Sequence, residues 1–410
     1  MDPKLWTREL LCTSTDPPHP IPCSRNYLTA LLNAPELVGR IQLNSFTNTI
    51  VVTDRLPWGK FEGHWADVDN AELAAWLAND HIKLRARPSD LAPMVAAAAS
   101  RHSFHPVRDY LYQRIWDGES RLDTVLHTHF GARWTDYTQA VGPKWFISAV
   151  ARVMEPGCKA DACLVLEGQQ GTYKSSAIKA IAGKEFYAEL SVAQLLSKDT
   201  QMLCHRSWII ELAELATLSK ATIEGAKAFL SCDTDTFRPP YGRYVLPFPR
   251  QCVFAGTTND DEYLIDPTGG RRFWPVRCGH IHIDQIKADR DQLWAEAMHR
   301  YQVYKSHEDD MQAPLWWLDN RDTYWAEKEQ LRRQQPDEWL DDVAAYLKKN
   351  KITECSVVDL LKKVINLELR EIDRKAQMRM AKCLTQLGWQ KHQVHGGLKR
   401  WKYETRGRRI

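Results

Sequence analysis

Residues 166–176 read LEGQQGTYKSS, which places a Lys-Ser pair six residues after a glycine. A phosphate cradle needs backbone N–H groups aimed inward, a helix N-terminus behind them, a cation for the phosphate oxygens and a hydroxyl for a magnesium ion. Gly168 and Gly171 supply the close backbone approach, Lys174 the cation and Ser175 the hydroxyl, with Gln169, Gln170, Thr172, Tyr173 and Ser176 completing the turn. The usual pattern, G-x-x-x-x-G-K-[ST], has glycine where this chain has Tyr173. A left-handed backbone there would cost a tyrosine roughly 1–2 kcal/mol; at negative φ the cost nearly vanishes. The bland alternative is a strand–turn–helix with a fortuitous Lys-Ser pair.

Two acidic and two basic positions follow. In WIIELAEL, Glu211 ends an apolar strand and Glu214 lies three residues on. An acid there suits Mg²⁺, usually held through water, and a second acid can polarise an attacking water. Two surface glutamates starting a helix are the competing reading. The run CVFAGTTNDDEYLIDPTGGRRFWPV ends a strand at Thr257-Thr258-Asn259, where the Asn259 amide can orient water near a terminal phosphate. Arg271 and Arg272 follow Gly269-Gly270, whose turn would project them toward a neighbouring subunit's nucleotide. Pairing with local carboxylates such as Asp266 is the other possibility.

Candidate nucleic-acid contacts fall in two places. FRPPYGRYVLPFPR reads as a hairpin with Arg238, Tyr241 and Arg243 near its tip, arginines for phosphate and an aromatic for base stacking, which suits single-stranded DNA. An ordinary exposed hairpin is the alternative. From Arg370 to the end there are twelve Lys/Arg against three Asp/Glu, although the whole chain carries only +3. There the helix DRKAQMRMAKCLTQLGW offers Arg374, Lys375, Arg379 and Lys382, and the hairpin beyond it offers Lys399 and Arg400. A basic helix beside a basic wing is a DNA-docking surface or a protein-contact module.

The elements that must position these residues can be read from pattern. ACLVLEG, SWIIE and QCVFAG are buried-strand runs interleaved with helices, which predicts an α/β sheet with helices on its faces. Before them, residues 40–54 predict a strand or hairpin, and from residue 69 apolar residues recur at three and four, broken at Pro88, Gly118 and Gly142-Pro143. The expected divisions are a strand and loop segment (1–68), a helical domain (69–155), the phosphate-loop domain (156–310), a linker (311–336) and a basic domain (337–410). That last domain reads as three helices and a hairpin, a winged-helix pattern. With 410 residues and 44% hydrophobic content the chain can bury several cores. Ten scattered cysteines without a C-x-x-C pair argue against a zinc site or disulfide framework. With no leader pattern and no long apolar run, a soluble cytoplasmic protein is expected.

Taken together, GCKADACLVLEGQQGTYKSS, SWIIELAEL, FRPPYGRYV and QCVFAGTTNDDEYLIDPTGGRRFWPV strongly resemble the virulence-associated protein E family. These are P-loop ATPases of phages, prophages and mobile islands, related to superfamily 3 helicases and to primase–helicases of mobile elements, within the AAA+ group. The resemblance runs from about Phe104 to about Arg277. It implies ATP and Mg²⁺ as cofactors, residues 168–176 as the nucleotide loop, and Ser175 with Glu211 as the metal-holding pair. It also implies Glu211 with Glu214 as water-activating acids, Asn259 as sensor, Arg271 or Arg272 as a finger acting in trans, and the 238–243 hairpin on DNA in a channel. A hexameric ring is implied, and priming, where needed, would fall to a separate primase. The chain departs from the pattern at Tyr173, and at Glu211, where an aspartate–glutamate pair is commoner.

Overall fold

The apolar run before the glycine loop is a strand buried along its whole length, and the rest of its fold follows from covering it. A computed structural model describes the chain except residues 1–4, 192–193, 196, 216–219, 239–243, 262, 265–269, 334–336, 394–398 and 404–410. Elements are numbered in chain order. Two compact units are present, Met1–Arg333 and Gln334–Ile410.

The first unit opens with α1 (Ser24–Asn33) and the antiparallel hairpin β1 (Ile41–Asn44) and β2 (Thr49–Val52). Then come β3 (Gly63–His64), α2 (Asp67–Leu77), α3 (Pro88–Arg101) and β4 (Ser103–Phe104), giving a sheet of order β3-β2-β1-β4. Its core joins Trp6, Leu37 and Val52 to Leu73, Leu91 and Ala99, so strands and helices on both sides of residue 68 share one apolar interior.

Next come α4 (Pro106–Tyr112), α5 (Val125–Thr128) and α6 (Asp136–Met154). The break expected at Gly142-Pro143 does not occur, because α6 runs through it. Gly142 is there for contact: a Cβ on it would lie 3.0 Å from a Val125 methyl. Pro143 forgoes one backbone hydrogen bond in a helix otherwise buried on most of its surface. Two buried indoles tie α6 to the sheet and a third ties the helix 283–306 to the helix 174–182, each donating to a backbone carbonyl. Trp145 donates to Phe254 (2.8 Å), Trp208 to Ala149 (2.9 Å) and Trp294 to Ile181 (3.0 Å).

The central sheet is built from β5 (Cys163–Glu167), β6 (Tyr187–Ser191), β7 (Ile209–Ala213), β10 (Val253–Thr258) and β11 (Phe273–Arg277). Its order is β11-β5-β10-β7-β6 and every neighbouring pair is parallel. Between these strands come α7 (Lys174–Ala182), α8 (Lys198–Cys204), α9 (Lys220–Ser231) and the antiparallel arms β8 (Thr234–Phe237) and β9 (Leu246–Pro249). Because all five strands are parallel, their carboxyl ends share one edge, where ligands bind in open α/β sheets. The edge strands β6 and β11 carry no strong sequence signal. β11 contains Pro275, which an edge strand tolerates because one side of its backbone makes no ladder. After it come α10 (Ile283–Ser306) and α11 (Asn320–Arg332). Residues 311–333 are therefore not a free linker: α11 lies on β11, and Gln330 donates to the Phe273 carbonyl at 3.0 Å.

In the second unit, α12 (Trp339–Lys349), α13 (Val357–Lys363) and α14 (Arg374–Gln386) surround Val343, Leu347, Leu361, Met380 and Leu384. The hairpin β13 (Trp389–Gln393) and β14 (Lys399–Tyr403) gains a third strand, β12 (Glu354–Cys355), which pairs with β14. No described helix is long and apolar enough to cross a membrane.

Candidate active site at the carboxyl edge of the sheet

Between β5 and α7 the chain turns through Gly168 (φ +157°), Gly171 (φ +82°) and Tyr173 (φ +64°). Nothing crowds a Cβ at Gly171, so its backbone angle alone calls for glycine there. Tyr173 occupies the left-handed region immediately before α7, so it carries the strain of roughly 1–2 kcal/mol that the glycine pattern avoids. Its side chain points out of the turn and is 63% exposed.

Lys174 opens α7 and is buried. Its ammonium donates to the carbonyls of Gly168 (2.7 Å) and Gln169 (2.8 Å), to Asn259 Oδ1 (3.0 Å) and to Thr172 Oγ1 (3.3 Å). Burial pulls its pKa below the ordinary lysine value, because desolvation penalises a cation. The N–H groups of the first turn of α7 lack helical partners and carry the positive end of the helix dipole.

Glu211 lies in the middle of β7 and not at its end as expected, because Leu212 and Ala213 continue the strand, and it is fully buried rather than on the surface. Three hydroxyls converge on its carboxylate: Ser175 (2.6 Å) and Thr257 (2.7 Å) donate to Oε1, and Tyr187 (2.6 Å) donates to Oε2. Burial, and then this bond, push the Tyr187 phenol well above its usual pKa. The structure thus brings Lys174, Ser175, Glu211 and Asn259 together from three segments at one edge. Glu214 lies just past β7, exposed and at positive φ. A hydroxyl beside a carboxylate is an oxygen donor set that fits Mg²⁺, which takes one or two protein ligands plus phosphates and water. Among the described residues no three His, Cys, Asp or Glu form a metal cage.

The loop is braced from below. Glu167, the last residue of β5, is buried and takes both arms of the Arg333 guanidinium (2.8 Å each) and the Tyr263 hydroxyl (2.9 Å). Tyr187, Thr257 and Arg333 were not singled out from the sequence. From sequence Thr257 reads only as part of a strand end, and the other two lie far along the chain from their partners.

The remaining candidates are more dispersed. Arg271 is exposed, while Arg272 donates to Ser231 Oγ (2.6 Å) and lies 3.4 Å from Asp161. The local partner Asp266 lies outside the described residues; among the described ones, Asp161 is the carboxylate near Arg272. Arg238 is exposed just after β8, whereas Tyr241 and Arg243 lie outside the described residues. The hairpin's stem is held by Asp235, which receives Arg250 at 2.6 and 2.8 Å and faces His205 at 3.2 Å. On α14, Arg374 and Lys375 are exposed and Lys382 is half-buried. Arg379 instead grips Asp337 (2.9 and 3.0 Å) with its guanidinium 4.0 Å above Trp339. It is part of that unit's own structure. The side chains of Lys399 and Arg400 lie outside the description, though their backbones form β14.

No curated protein matches the chain. Among solved structures, the A form apo structure of the NrS-1 C terminal region aligns with a TM-score of 0.43 and 11% identity, covering 89% of this chain and 96% of that one. A second apo structure of the same region gives 0.45 with the same identity and coverage. The model of the virulence-associated protein E-like domain matches residues 111–335, which takes in the central sheet, the glycine loop and α11. With more than half its length matched, the chain belongs to the virulence-associated protein E-like family.

Proposed function

We propose that the chain is a P-loop ATPase of the AAA+, superfamily 3 helicase-like type. It would work as a hexameric ring on DNA during replication of a phage, prophage or other mobile element. The observation that carries this reading is the meeting of two hydrogen-bonded pairs, Lys174 with Asn259 and Ser175 with Glu211, beside the α7 N-terminus. Gly168 and Gly171 leave room for phosphates, Lys174 supplies charge, and Ser175 and Glu211 would hold Mg²⁺. Bound Mg²⁺ supplies charge neutralisation on the phosphates. Glu211 and Asn259 would orient water, with Glu214 as an auxiliary acid. Arg271 is the better candidate for the finger in trans, since Arg272 is engaged within its own chain.

The DNA side of the reading rests on Arg238 at the end of β8 and on the exposed cations of α14, with the second unit as a winged helix. A separate primase would supply priming. The other reading, an ATP-gated DNA-binding regulator without processive unwinding, is favoured by one observation. Arg379, at the centre of the basic helix, is committed to Asp337, which thins the surface offered to DNA.

ATP hydrolysis measured with and without single-stranded DNA tests the proposal. Wild type should be stimulated by the strand, and Lys174→Ala should lose turnover by at least about a hundredfold. Arg271→Ala alone should be inactive yet regain activity when mixed with Lys174→Ala, because a Lys174→Ala neighbour would lend its intact arginine to the intact glycine loop of an Arg271→Ala subunit. ATP turnover that ignores DNA, together with failure to open a forked duplex, would favour the regulator.

A further inference from the structure

Beside the glycine loop lies a cavity of about 820 Å³ that Tyr173 helps to line. One wall is a single face of α7, with Ser176, Lys179 and Ala180 spaced by three and four, continued by Gly183 just past its end. The facing wall is the chain between β11 and α10, with His280 and His282, backed by Arg290. A Cβ on Gly183 would lie 3.2 Å from the Arg290 guanidinium, so this glycine lets the arginine lie against the end of α7.

We propose that this cavity is the subsite for the nucleoside part of the bound nucleotide, with the Tyr173 ring as the aromatic face on which the base stacks. The inference rests on the ATP-binding reading above and adds to it the place and chemistry of base recognition. Three observations support it. First, the cavity begins at Ser176, two residues beyond Lys174 on the same helix. A ligand with its phosphates at the α7 N-terminus therefore reaches it without leaving the helix surface. Second, Lys179, Lys184, Lys287 and Arg290 outnumber Asp284 on its walls, which suits an anionic ligand carrying a planar ring. Third, Tyr173 holds a backbone angle suited to glycine while exposing its ring at the cavity. A strained residue whose side chain is unburied gains nothing from packing, and such strain concentrates at ligand sites.

Binding of ATP and of inorganic tripolyphosphate to the full chain, by calorimetry, separates the base from the phosphates. Tyr173→Ala and Tyr173→Phe carry the same left-handed backbone cost, so their difference isolates the ring. Tyr173→Ala should weaken ATP about tenfold, as expected for loss of one aromatic–base stack. It should leave tripolyphosphate within twofold, and Tyr173→Phe should bind both as wild type does. If Tyr173→Ala binds ATP as tightly as wild type, or loses both ligands equally, the inference falls while the ATPase reading stands. A wild-type chain that binds neither ligand overturns both.

Discussion

At Glu211 one buried carboxylate accepts three hydroxyl hydrogen bonds, and each donor has a different fate in the proposed chemistry. Ser175 would turn to the metal, whereas Tyr187, on the other oxygen, has no such alternative and fixes the carboxylate's orientation. Tyr187→Phe removes that donor while keeping the ring. It should lower turnover about tenfold, the effect of about 1.4 kcal/mol in the barrier, and leave ATP affinity within twofold. Steady-state kinetics beside direct binding will show whether kcat falls alone. Lys174, Ser175, Glu211 and Asn259 were legible because short spacing encodes them: strand, glycine turn and Lys-Ser are contiguous, and an acid or amide ending an apolar run is a local sign. Tyr187 was not legible, since it reaches Glu211 from 24 residues away and nothing in the segment YAELS marks a phenol aimed at a carboxylate.

Among elements, the β8–β9 arms depend on a buried ion pair at their base. Burial alone would raise the Asp235 pKa, but the hydrogen bonds from Arg250 and His205 outweigh it and hold the carboxyl down to about 2. A carboxyl depressed in the folded state stabilises above its unfolded pKa, about 3.9. That contribution is complete above about pH 4 and is lost as pH falls toward 2. Asp235→Asn strands a buried guanidinium and should cost about 3–5 kcal/mol at pH 6, a gap that narrows by pH 2.5, as urea unfolding at both pH values will measure. The elements read most surely from sequence were the buried strands β5, β7 and β10 and the β1–β2 hairpin. β6 escaped because an edge strand needs no continuous apolar run, β11 because Pro275 interrupts its strand pattern, and β12 because it is two residues long. From sequence the helical pattern of α6 starts only after Gly142-Pro143, because such a pair breaks helices locally, while the packing of Gly142 on Val125 and Leu126 acts from outside the segment.

On the scale of the whole molecule, two units meet in sequence at residue 333, and the last residue of the first holds the strand from which the glycine loop springs. Composition could not reveal this. A stretch rich in tryptophan and charge reads as a connector until its final arginine is found 166 residues from its partner. The pairing bears on modularity, the question of how small a piece can be moved between proteins and still work. A chain ending after residue 336 keeps Arg333, and with it a paired Glu167. One ending at Gln330 leaves that carboxylate buried with its cation gone, at a cost of about 3–5 kcal/mol. The shorter piece should melt at a markedly lower temperature and the longer one should keep the first unit's own transition, as calorimetry on the two truncations will show. The transplantable unit that carries the glycine loop therefore ends only after α11, well beyond the last strand of its sheet.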